Sequence, residues 1–126
     1  MKDIRILIVE DDAIISMDIE QRVKKHGCVV LGVVDRAEKV FEKVGTERPD
    51  LVLMDINIKG EMDGVSVAEK LLNDYNIHVI YITAYSDMSM RERALKTEPL
   101  GYLVKPIRES ELVEMLEYAS EKVKKE

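Results

Sequence analysis

Five short apolar runs, each followed by a segment of helical periodicity, restrict this chain to alternating strands and helices. Ile4 to Val9 is a near-continuous β-branched run, as expected of a strand buried on both faces. Val29 to Val34, Leu51 to Met54, His78 to Thr83 and Gly101 to Val104 supply the other four. Between Asp12 and His26 the residues Ile15, Ile19 and Val23 recur every fourth position and mark one helical face. Similar stripes are Ala37, Val40, Phe41 and Val44; Val65, Ala68, Leu71 and Leu72; Met90, Ala94 and Leu95; and Leu112, Leu116, Ala119 and Val123. Asp12 suits the first helix's N-cap and Gly27 its close, while Gly45 and Pro49 are expected to end the second. Ser86 or Asp87 is the expected cap of the fourth, and the basic end of the last, Lys122-Val123-Lys124-Lys125, suits its dipole.

Five strand-helix pairs with short connections imply an α/β, doubly wound, five-stranded parallel sheet covered by five helices. With 126 residues, 46% of them apolar, the chain is expected to form one domain over residues 1–126. Its net charge of -6 and pI near 5.1 disfavour direct contact with nucleic acid. Cys28 is the only cysteine, which excludes an internal disulfide and a cysteine-built zinc site. Residues Met1 to Glu10 lack the length and cleavage region of a signal peptide, and no run approaches the ~20 apolar residues of a membrane span. The expectation is a soluble cytoplasmic domain without membrane insertion.

Open parallel sheets bind ligands beyond the carboxyl ends of their strands. The first run ends at Glu10-Asp11, the third at Asp55, the fourth at Thr83 and the fifth at Lys105-Pro106. The fold brings these groups to one edge. Three converging carboxylates repel one another, and an all-oxygen set suits Mg2+. With a divalent ion and Lys105 present the local charge falls near zero. Asp55 can then act as a nucleophile toward phosphorus, while Thr83 and Lys105 take phosphoryl oxygens.

Taken in order, Ile8-Val9-Glu10-Asp11-Asp12, Leu51-Val52-Leu53-Met54-Asp55-Ile56-Asn57, Met62-Asp63-Gly64, Tyr81-Ile82-Thr83-Ala84 and Tyr102-Leu103-Val104-Lys105-Pro106 resemble the response-regulator receiver domain of two-component phosphorelay signalling, over essentially the whole chain. The loop from Ile58 to Gly64 resembles those of receivers associated with hybrid or multi-sensor histidine kinases. The resemblance implies a flavodoxin-like receiver fold and Asp55 as phosphoacceptor. It implies Mg2+ held by Asp11 as direct ligand, together with Asp55 and the backbone carbonyl of Asn57, and by Glu10 through water. Thr83 and Lys105 would bind the phosphoryl group, Tyr102 would change rotamer with Thr83, and the bond before Pro106 would be cis. Asn57 and Tyr85 would flank the path of hydrolytic water and set the lifetime. Ile14, off the buried stripe, and Pro106 would meet a histidine kinase or histidine phosphotransfer protein, and a downstream protein target would read the switched surface. Such a domain is no enzyme beyond its own phosphorylation and dephosphorylation.

Two features depart from the family's pattern. Lys59 stands where proline is common, in a loop one residue longer than usual, which leaves the next helix start open; Glu10 replaces the commoner aspartate. Three rival readings have less support. A Mg2+-dependent phosphatase of the haloacid dehalogenase type wants an aspartate two positions after the nucleophile, and that position is Asn57. Asn57 also breaks the acidic pair of a Toprim-like nuclease, and a flavodoxin-like binder would need a Ser/Thr/Gly-rich first loop. Asp12 is read as a cap, and His26 and His78 as structural.

Overall fold

The computed structural model describes residues 4–84 and 88–125. The chain runs β1 (Arg5–Val9), α1 (Ala13–Lys25), β2 (Val29–Val34), α2 (Ala37–Thr46), β3 (Leu51–Met54), α3 (Gly64–Tyr75), β4 (Val79–Thr83), α4 (Met88–Leu95), β5 (Gly101–Val104) and α5 (Glu109–Lys125). All strand pairs are parallel, in the order β2-β1-β3-β4-β5. The order reverses direction between β1 and β3, which opens a crevice above their carboxyl ends.

Alternation within the apolar runs divides the core into two layers. Ile6 and Ile8 face one side with Leu51 and Leu53, where they meet Ile19 and Val23 of α1 and Leu112, Leu116 and Ala119 of α5. Leu7 and Val9 face the other side with Val52 and Met54, against Val40 and Val44 of α2, Val65, Ala68 and Leu71 of α3 and Ala94 of α4. Successive strand side chains point to opposite faces, so a strand covered on both must be apolar throughout. A register shift in the β1–β2 pairing places Ile6 opposite Val30 and Leu7 opposite Gly32.

Asp12 caps α1 by accepting from Ile14 N at 2.9 Å and Ile15 N at 3.0 Å. Gly27 follows that helix with φ 87°, a left-handed conformation that a residue without Cβ adopts freely. The expected stop at Gly45 is incorrect: α2 continues through it to Thr46, because the backbone is helical there and Val44 is held against the core. His78 lies just before β4 rather than in it, with Nδ1 3.1 Å from the Glu98 carbonyl. Ile15 is only partly buried and Leu95 is half-exposed, so both inward stripes are narrower than their periodicity implies. Ile4, outside β1, is nonetheless buried. The expected caps Ser86 and Asp87 lie outside the described residues.

The start of α3 is fixed by the strand before it. Asp63 accepts from Ser66 N at 2.8 Å, and Gly64 N donates to the Ile56 carbonyl at 2.8 Å. A Cβ on Gly64 would stand 2.1 Å from the Asp55 carbonyl oxygen. That obstacle is backbone. Gly101 is also crowded, with a Cβ 2.1 Å from Met115 Sδ, but there the neighbour is a flexible thioether chain. Gly64→Ala should therefore cost about 2–3 kcal/mol in urea unfolding and Gly101→Ala less than about 1 kcal/mol. Equal costs would show that α3 can move away from β3.

Candidate functional site

The sheet carries its hydrogen bonding one step past the strand ends. Glu10 N donates to the Val34 carbonyl at 2.9 Å, Asp55 N to that of Val9 at 3.0 Å, and Lys105 N to that of Thr83 at 2.9 Å. These bonds fix four chemically active residues on one rim. Glu10, Asp55 and Thr83 are buried, while Asp11 is exposed.

Lys105 reaches across that rim. Its Nζ lies 3.0 Å from Asp55 Oδ2 and also donates to Glu10 Oε1. The peptide bond between Lys105 and Pro106 is cis, as the sequence resemblance implied. Backbone amides take the second oxygens: Asp12 N donates to Glu10 Oε2 at 3.1 Å and Asn57 N to Asp55 Oδ1 at 3.2 Å. Glu10, Asp11 and Asp55 each place a carboxylate oxygen within 4.8 Å of the others, the one such group of potential metal ligands among the described residues. Three oxygen donors of this type fit a hard divalent cation.

Burial is the largest influence on Glu10 and pushes its carboxyl above the ordinary value; the Lys105 hydrogen bond and the Asp12 amide offset part of this, and the Asp55 charge adds to it. For Lys105, burial opposes the ammonium, but bonds to Glu10 and Asp55 outweigh it and raise the pKa. The site is thus a set of repelling carboxylates held together by one ammonium.

Tyr102 is half-buried on β5, opposite Tyr81 in the strand register. Its ring centroid is 5.7 Å from that of Tyr81, and the Arg91 guanidinium lies 5.0 Å from it. Ile14 is 80% exposed, as its place off the stripe required. It lines a groove of about 750 Å³ with Ile15, Ile19, Lys105, Pro106 and Ile107. Arg22 shapes that groove by donating to the Ile107 carbonyl at 3.0 Å. Asn57 is exposed, and Tyr85 lies outside the described residues.

Sequence reading missed a clamp beside the site. Arg93 of α4 reaches both Asp63 carboxylate oxygens, at 2.8 and 3.1 Å, and Ser66 Oγ at 3.1 Å. Only the acidic cap in Met62-Asp63-Gly64 hinted at it. Burial opposes the Asp63 carboxylate, but Arg93 and the Ser66 amide prevail and hold its pKa below the ordinary value.

Charge balance at the rim sets the sign of several effects. Without metal, Asp55→Asn should raise the melting temperature, whereas Lys105→Met should lower stability by about 3 kcal/mol by leaving buried carboxylates face to face. Mg2+ at ten times its dissociation constant should stabilise the wild-type chain by about 1.4 kcal/mol. Glu10 titrates above its ordinary 4.5, so its contribution is fully present below that pH and is lost as pH rises through the folded-state value. Urea titrations and melting curves with chelator at several pH values check the variants and the pH dependence, and repeating them with Mg2+ checks the metal; identical melting of the two variants would contradict the charge account.

Comparison with known proteins agrees with this geometry. Residues 6–117 match the family described as "Response regulator receiver domain". The chain is 31% identical over 115 residues to the transcriptional regulatory protein PdtaR of Mycobacterium tuberculosis, covering 91% of this chain and 56% of PdtaR, so it spans about half that relative's length. It is 32% identical over 117 residues to the chemotaxis protein CheY of Thermotoga maritima, covering 92% and 97%. The solved signal receiver domain of a modulated diguanylate cyclase from Desulfovibrio desulfuricans superposes with a TM-score of 0.87 at 35% identity, covering 95% of each chain. No helix among the described residues is long and apolar enough to cross a membrane. Fold, rim and sequence together place this chain in the response-regulator receiver domain family.

Proposed function

We propose that this chain is a phosphoacceptor signalling domain that receives a phosphoryl group on Asp55 and reports it by changing a partner-binding surface. The observation that carries the reading is the Lys105 ammonium between Asp55 and Glu10, beside three carboxylate oxygens within 4.8 Å of one another. Asp55 Oδ attacks phosphorus, a new O–P bond forms, and the bond to the donor breaks with its electron pair leaving on the donor. Glu10, Asp11, Asp55 and the Asn57 carbonyl are the residues assigned to hold Mg2+, which supplies charge neutralisation for the incoming phosphoryl oxygens. Lys105 then exchanges its carboxylate partners for a phosphoryl oxygen, and Thr83 takes another. Moving Thr83 toward that oxygen frees space on the face where Tyr102 packs, which is the basis for assigning the two as a switch. Asn57 and Tyr85 are assigned to the lifetime of the acyl phosphate.

The donor is a histidine kinase or histidine phosphotransfer protein in the cytoplasm, and the recipient of the signal is a protein. The domain, residues 1–126, catalyses only its own phosphorylation and dephosphorylation. Ile14 and Pro106 line one groove next to Lys105, which supports a docking role for both. The haloacid dehalogenase alternative has no support: Asn57 occupies the position its acid would need, and the family match lies elsewhere.

Acetyl phosphate with Mg2+ should raise the intact mass by about 80 Da, one phosphoryl group on a carboxylate. Asp55→Asn should gain nothing, and equal labelling of that variant would remove Asp55 from its role. Docking is tested separately. Ile14→Ala should slow transfer from the cognate kinase several-fold while acetyl phosphate labels it at the wild-type rate; matched losses with both donors would implicate the site itself.

A further inference from the structure

The rim has a second approach, unlike the apolar groove beside Ile14. A cleft of about 320 Å³ on the β2 side is lined by Glu10 and Asp11, two of the three clustered acids, together with Ser16, Asp35, Lys39 and Lys59. Three cations converge there on one carboxylate. Arg36 holds Asp35 through Nε at 2.9 Å and Nη2 at 3.4 Å. Lys39 and Lys59 then stand 3.5 Å from Oδ1 and Oδ2 respectively. Arg36 already satisfies both oxygens, so the lysines are loose second partners, and each side chain is about half exposed. Pinning the loops does not require them either: Lys59 N donates to the Asp35 carbonyl at 3.0 Å, and Arg36 and Lys59 form a backbone bridge. Arg36, outside the cleft's lining, offsets the Asp35 charge, so Lys39 and Lys59 leave two positive charges in the cleft that Glu10 and Asp11 also line. A space of this volume is about one Debye length across, so these charges act on an incoming ion with only partial screening.

We propose that Lys39 and Lys59 are specificity-determining residues of the phosphoacceptor site, drawing doubly negative acyl phosphates into this cleft in preference to singly charged donors. The inference rests on Asp55 being the acceptor. Both donor classes make the same bond. With acetyl phosphate, Asp55 Oδ–P forms as the P–O bond to the acetyl group breaks, and acetate leaves with the bonding pair. With phosphoramidate, which is singly charged because its nitrogen is protonated, the P–N bond breaks and ammonia leaves. Only the charge of the approaching donor differs. The same two lysines oppose a divalent cation, so removing them acts in opposite directions on donor and metal.

The test compares wild type with Lys39→Met/Lys59→Met, using second-order labelling rates at saturating Mg2+ and an Mg2+ titration of the melting temperature. At low salt the double variant should lose roughly fourfold in rate with acetyl phosphate and roughly twofold with phosphoramidate, while binding Mg2+ a few-fold more tightly. High salt should erase all three differences, and Lys39→Arg/Lys59→Arg should keep the wild-type preference. Equal loss with both donors, loss that persists at high salt, or weaker Mg2+ binding would overturn the proposal, because damaged folding lowers everything together. Absence of wild-type labelling by either donor would instead overturn the phosphoacceptor reading, and this inference with it.

Discussion

One ammonium group placed between two buried carboxylates is the constraint on which this site depends. Glu10 and Asp55 are both shielded from water, and without Lys105 each would lose solvation with a single backbone amide and no opposite charge to offset it. A buried ion pair of this kind is weak evidence for stability, because desolvation offsets most of the attraction. Its value is that it can be exchanged. A phosphoryl group on Asp55 would bring negative charge that Lys105 can follow, and a metal ion held by Glu10, Asp11 and Asp55 would supply positive charge in place of the Lys105 ammonium.

The parallel sheet makes that arrangement possible. Its order puts β1 between β2 and β3, and the bonds from Glu10 to Val34 and from Asp55 to Val9 extend the ladders to the reactive residues themselves. On the far side, Lys105 is carried by its backbone bond to Thr83. Gly64 brings the start of α3 against the Asp55 backbone, and the Asp63 cap passes that position to α4 through Arg93. A displacement at Asp55 therefore meets backbone, a helix start and a second helix in turn. Contiguous contacts thus run from the rim to α4, whose Arg91 guanidinium lies 5.0 Å from the Tyr102 ring centroid.

Much of this was legible in the sequence, for a specific reason. Strands buried on both faces cannot alternate, so Ile4 to Val9 and Leu51 to Met54 announced both their elements and the polar residues that end them. Ile14 was readable as exposed from its offset to the Ile15, Ile19 and Val23 stripe. Side-chain contacts between distant segments were not readable. Arg93 meets Asp63 across 30 positions, and Lys59 meets Asp35 through a loop with no periodicity. Gly45 misled because glycine often ends helices, yet tertiary packing of Val40 and Val44 carries α2 past it. Asn76 was overlooked as the opposite case: it closes α3 at φ 55° and ψ 42°, which asparagine tolerates.

The most direct measurement reduces the phosphorylated chain with borohydride and sequences its peptides by mass spectrometry. Reduction converts an aspartyl phosphate to homoserine and leaves a free carboxylate unchanged. Homoserine at position 55, formed only when Mg2+ was present during labelling, is the expected result. Reduction at Asp11, or at any residue away from the Lys105 ammonium, would contradict the placement of the reactive carboxylate.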